Sequence, residues 1–203
     1  MLRINTKLIG ITAIFLILIG LSFFILKKIA KTSYDTVQTV HDTFSDSQSA
    51  EIFESTAKQV KAVYDYYLDK NGYIYVLRGI SFDDPRSHTL TSHGYMSAKG
   101  GEATWTDHDM GNTDSKWQSH TIDVSIALRW AKGGGNFKDA GYIAYKKMTA
   151  EDFPGVVFGG IFAENQCGVP GLILYDGYIA VTHETTISEA KAKLKSRGVK
   201  LIY

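Results

Sequence analysis

The sequence predicts an α+β fold built on a small mixed or antiparallel sheet. Three observations carry that reading. Beyond residue 72 the chain holds several short runs of aromatic and β-branched residues, Gly or Pro separates most of them, and helical periodicity is confined to a few segments. No internal repeat is visible.

Taken in order, Leu8 to Leu26 carries no charge, and its 19 residues approach the roughly 20 that a helix needs to cross a bilayer core. A cleaved leader would have an apolar region of roughly 7 to 15 residues followed by a small-x-small site. Here Lys27-Lys28-Ile29-Ala30-Lys31 follows instead. Residues 1–31 are therefore expected to form a retained membrane anchor with its span at 8–26. That places the protein, single-pass, in a bacterial inner membrane, or outside the cell if the segment is cleaved. Arg3 and Lys7 on one side balance Lys27, Lys28 and Lys31 on the other, so the positive-inside rule leaves orientation open. Residues 32–70 read as a juxtamembrane spacer and helix. Thr32 to Gln48 is polar, and from Ala50 a stripe of Ile52, Phe53, Ala57, Val60, Val63, Tyr64 and Tyr67 runs to a stop at Lys70-Asn71-Gly72.

Residues 71–203 form the remaining domain. Strands are expected at Tyr73 to Leu77, Tyr142 to Lys146, Val156 to Phe158, Leu172 to Tyr175, Tyr178 to Thr182 and Val199 to Tyr203, with helices after Thr121 and over Ser188 to Ser196. Arg86 to Thr113 is rich in Gly, Ser, Thr, Asp and His, and reads as a long functional loop. Asp83-Asp84 before Pro85 reads as a turn, and Gly133-Gly134-Gly135 as a helix C-terminal cap rather than a phosphate loop.

Composition narrows the function classes. Five of the 22 bases lie before residue 32, which leaves 17 against 21 acids and a formal charge of −4 on the rest of the chain. That balance argues against nucleic acid as a partner. Cys167 is the sole cysteine, so no disulfide forms within the chain, and with no nearby His it reads as a packed apolar residue. His88, His93, His108 and His120 match no metal-ligand spacing, and no metal is expected. Trp105, Trp117 and Trp130 read as core and pocket wall.

The chemistry concentrates in Asp107-His108-Asp109-Met110-Gly111 and in Trp117 to Ala131, where a short strand ends in hydroxylated residues and leads into a helix. Asp123 is a candidate N-cap, and Ile126, Ala127, Trp130 and Ala131 share a helix face. These residues resemble the Asp-His-x-x-Gly and Ser-Thr-Ser segments of the cholera and pertussis toxin A-subunit group of mono-ADP-ribosyltransferases, with Ser119-His120-Thr121 where the family has Ser-Thr-Ser. Tyr75-Val76-Leu77-Arg78 upstream and His93-Gly94-Tyr95 between fall in the family's order. The resemblance covers roughly residues 71–203.

It implies a split β-sandwich that binds NAD as substrate and transfers ADP-ribose to a protein acceptor, which nothing in the sequence identifies. Toxin relatives often work with a delivery or immunity partner. Arg78, whose planar fork suits phosphate oxygens, would hold NAD together with Gly79, Asp107, His120 and Thr121. His108 and Ser119 would shape the catalytic centre, His108 by orienting the ribose or assisting deprotonation of an acceptor. Cleavage of the nicotinamide–ribose bond passes through an oxocarbenium-like centre, so a fixed carboxylate is needed beside the ribose. The family supplies it from Glu-x-Glu or Gln-x-Glu, and the domain has no Glu-x-Glu. Glu184, ending a strand before the last helix, is the first choice. Glu164 in Glu164-Asn165-Gln166 is the second, although Gln166 then stands at the catalytic position, and a third outcome is that no acid serves. Three functions follow: a membrane-anchored mono-ADP-ribosyltransferase, an NAD glycohydrolase on the same fold, and a non-enzymatic extracytoplasmic binding or sensory domain.

Overall fold

The structure, a computed structural model, describes residues 46–109, 111–134, 140–160 and 164–202. The anchor at 8–26, most of the spacer, Met110, Gly135 and Tyr203 lie outside the described residues. Among the described residues no helix is long and apolar enough to cross a membrane.

Helix α1 (Asp46–Asn71) leads into strand β1 (Ile74–Ser81), the axis of the domain. Helix α2 (Arg86–His93), strand β2 (Tyr95–Ser97) and the short helix α3 (Trp105–Asp109) occupy the segment expected to be a loop. Strand β3 (Trp117–Thr121) and helix α4 (Val124–Ala131) follow, then β4 (Gly141–Met148), β5 (Val157–Phe158), β6 (Gln166–Pro170), β7 (Leu172–Leu174), β8 (Gly177–Val181) and helix α5 (Ile187–Ser196). A six-stranded sheet of order β5-β6-β3-β1-β4-β8 and a two-stranded sheet β2-β7 result, and every pairing is antiparallel. The α+β expectation holds.

Burial alternates along β1. Ile74 and Val76 pack with Val60 and Tyr64 of α1, Ile80 with Leu90 of α2 and Met96 of β2, and Leu77 with α4 and α5 on the opposite face. The expected helix stripe on α4 is rotated. Val124, Ala127, Leu128 and Ala131 are buried while Trp130 is 51% exposed, because the i, i+3, i+4, i+7 face that meets Leu77 and Ile143 begins at Val124. Asp123 caps this helix as expected, its Oδ1 accepting from the Ser125 amide at 2.7 Å. Gly133 and Gly134, both at positive φ, close it.

Of the strand expected at Val199 to Tyr203, the described residues 199–202 form none. Residues 199–202 run without ladder pairing, and Val199 joins the core through its side chain instead. Cys167 is buried as expected, and burial pushes its thiol up to about 12, which keeps it protonated.

Candidate functional site

Strands β1 and β3 pair only at Leu77 and Thr121. β3 ends there, no ladder pair joins the rest of β3 to β1, and Arg78 links the two strands instead, donating from one terminal nitrogen to the Ser119 carbonyl at 2.8 Å. A cleft of about 470 Å³ opens here, between β1, β3, the start of β6, α3 and α4, within the size range of small-molecule sites. Arg78, Gly79, His108, Ser119, His120, Thr121, Glu164 and Gln166 all line it.

Two-residue alternation along β3 sends Ser119 and Thr121 to one side and Gln118 and His120 to the other. Ser119 Oγ lies 3.0 Å from His108 Nε2, and His108 Nδ1 lies 2.5 Å from Ser115 Oγ. The imidazole also stacks on Trp105 at 5.5 Å between centroids, so three contacts fix its plane. Burial, followed by the charges of Arg78 and Arg86, lowers its pKa to about 4. The ring is therefore neutral at pH 7, a hydrogen-bonding group rather than one that changes charge near neutrality.

His120 serves a different purpose. It is 2% exposed, donates from Nδ1 to the Gln118 carbonyl at 2.9 Å and accepts at Nε2 from the Tyr175 hydroxyl at 2.9 Å. Burial and then the Arg78 charge lower its pKa to about 3. Its neutral ring props β3 from behind, so the central residue of Ser119-His120-Thr121 is a packing residue with its ring against Tyr175.

Of the carboxylates on the cleft wall, Glu164 stands where β6 begins, across from Thr121. It is 6% exposed, ion-paired with Arg129, and accepts at Oε2 from Trp130 Nε1 at 3.3 Å. Thr121 Oγ1 donates to its carbonyl at 2.7 Å, which ties the residue to β3. Asn165 follows at φ 48, a left-handed conformation unusual for a residue with a side chain. Gln166 then enters β6 opposite Thr121 and donates to Asp109.

Glu184 is elsewhere. It sits in the turn after β8, at the far edge of the sheet, with an 84% exposed side chain 3.7 Å from His183. Ending a strand before a helix had favoured it, but β8 is separated from the cleft strand β1 by β4. Asp107 also lies off the cleft. Its Oδ2 accepts from the Thr104 amide at 3.0 Å and hydroxyl at 2.6 Å and caps α3. Gly79 is needed for closeness: a Cβ there would lie 2.0 Å from the Ala127 carbonyl oxygen, so its lack of a side chain lets α4 approach β1.

Trp130, expected as core and pocket wall, lines the cleft, and so do Asp84, Arg86, Asp109 and Ile126, to which the sequence gave no binding role. Asp109 stood inside the quoted motif, whereas Arg86 carried no signal beyond following a turn. Among the described residues no cluster of His, Cys, Asp or Glu suits a metal ion. Compared with known protein families and with curated proteins, the chain matches none.

Proposed function

We propose that the chain is an NAD-cleaving enzyme, a mono-ADP-ribosyltransferase of split β-sandwich type, with Glu164 rather than Glu184 as the carboxylate beside the reacting ribose. One observation carries the reading: Arg78, His108, Ser119, Thr121 and Glu164, which come from four separate segments, share one cleft. Arg78 supplies a guanidinium for a phosphate. Neutral His108 and Ser119 form a preset hydrogen-bonding pair for a ribose hydroxyl. Glu164, held by Arg129 and Trp130, places negative charge where a ribose cation develops as nicotinamide leaves. A nucleophile of the protein acceptor then bonds to the ribose carbon; with water in its place the same site is an NAD glycohydrolase.

Gln166 supports a second reading. It stands where the resemblance puts the catalytic acid, and Glu164 is already neutralised by Arg129, an arrangement suited to binding NAD without turnover. Nicotinamide release by the full-length protein decides. Glu164→Gln is expected to lower the rate about 100-fold or more, the scale of removing a preorganised electrostatic contact, while Glu184→Gln leaves it unchanged. NAD binding without release supports the second reading, and no NAD binding at all refutes both.

A further inference from the structure

Arg86 opens α2 and lines the same cleft as Arg78. Asp84 orients it. Arg86 Nε donates to Asp84 Oδ1 at 2.9 Å and a terminal nitrogen to Oδ2 at 2.7 Å, and the same Oδ1 accepts from the Arg86 amide at 2.9 Å. These bonds hold the guanidinium in one plane yet use only part of its fork of donors. Both side chains remain partly open, at 26% and 20% exposure, so a ligand in the cleft can reach them. The Arg78 and Arg86 charges together act on His108 and on Asp84. Two guanidiniums and the Asp84 carboxylate therefore share this part of the wall.

Arg78 alone serves a diphosphate poorly. One of its two terminal nitrogens is committed to the Ser119 carbonyl, and its Nε makes no hydrogen bond and is closed to solvent. Its reach is thus fixed to one spot. A pyrophosphate carries charge on both phosphorus centres, and each centre matches one planar fork.

We propose that Arg86 is a second phosphate-binding residue, positioned by Asp84, which together with Arg78 grips the pyrophosphate of the dinucleotide. The identity of that dinucleotide rests on the NAD reading above. The pyrophosphate clamp itself rests on the two arginines.

Calorimetry on the full-length protein tests it, with NAD, ADP-ribose, inorganic pyrophosphate and the phosphate-free nicotinamide riboside as probes, on the unmodified chain, Arg86→Ala and Arg86→Lys. Loss of one charge-assisted contact predicts affinity for NAD and ADP-ribose lower by about 10- to 100-fold in Arg86→Ala. Arg86→Lys, which keeps the charge and loses the fork, should fall between. Affinity for the riboside should not change, which a general distortion of the cleft would not allow. Equal NAD affinity in Arg86→Ala and the unmodified chain overturns the clamp and leaves the NAD reading standing. Pyrophosphate binding that depends on Arg86, without NAD binding, supports the clamp and removes the NAD reading. Loss of riboside affinity in parallel with NAD affinity would make Arg86 structural and overturn the proposal.

Discussion

The middle of the six-stranded sheet, where the cleft lies between β3 and β1, and its β8 edge are built by different rules. At the β8 edge the start of α5 is closed by a local exchange of hydrogen bonds. Thr186 and Glu189 form a reciprocal capping box, and the helix sends Ala190 and Leu194 into the core beside Val181 and Val199. Around the cleft, buried polar groups stand beside the apolar core. Gln118, His120, Thr121, Glu164 and Gln166 are all buried, Arg78 Nε and Gln118 Oε1 make no hydrogen bond, and Asn165 holds a left-handed backbone. Each such feature costs free energy that an apolar core would not. Arrangements of this kind persist where binding or chemistry needs them, so the contrast locates the site without reference to any motif.

The largest effect expected from breaking this contrast is at Gly79. A methyl group there would meet the backbone of α4 at Ala127 and Ala131, at 2.0 and 2.6 Å, and backbone cannot rotate aside. Gly79→Ala should cost about 3 kcal/mol or more by forcing α4 off the sheet. Because α4 carries Ile126 and Trp130 into the cleft, NAD affinity should fall with stability. Urea unfolding and calorimetry on the same samples check this, and an unchanged midpoint would refute the close-approach argument.

His120 gives the next largest effect and a pH signature. Its pKa, and that of His108, lie below the ordinary 6.5, so the unfolded chain takes up these protons first as the pH falls. The stability contributed by the neutral rings is complete above about pH 6.5 and is lost progressively below it, down to the folded values. Glutamine in place of His120 removes that site from the acid limb and weakens the bonds to Tyr175 and Gln118. His120→Gln should therefore be about 2 kcal/mol less stable at pH 7, with the difference shrinking to near zero around pH 5. A difference that stays constant between those pH values would contradict a buried neutral imidazole.

The sequence was most informative where local rules decide structure. Asp123 capped its helix, Ser188 to Ser196 became α5 within one residue, and Cys167 packed as an apolar side chain. The strands were recognisable from β-branched and aromatic runs, yet β6 was missed because Gln166-Cys167-Gly168 lacks such residues and owes its strand to pairing with β3. α2 was missed because Arg86 to His93 is polar, with Leu90 alone buried on it, so no periodicity marked it. Arg78, His108, Ser119 and Thr121, which the local motif singled out together, do line one cleft. The choice between Glu164 and Glu184 depended on sheet order, which only long-range pairing sets. Both acids adjoin a strand, and no local pattern reveals which strand lies beside β3.

The smallest effect sharpens the contrast from the quiet end. Thr186 Oγ1 accepts from the Glu189 amide at 3.2 Å, and the Glu189 carboxylate accepts from the Thr186 amide at 2.7 Å. That carboxylate is held below its ordinary pKa by the backbone and then the hydroxyl of Thr186. Thr186→Ala removes one side of this exchange and should cost about 1 kcal/mol of stability, the usual size of an N-cap loss. The cap lies two strands away from β1, past β4 and β8, and shares no partner with Glu164, so effects at the cap and at the cleft should be additive and separate. Thr186→Ala should unfold earlier in urea while releasing nicotinamide and binding NAD like the unmodified chain. If its NAD affinity drops as well, the β8 edge is coupled to the cleft and the two regions are not independent.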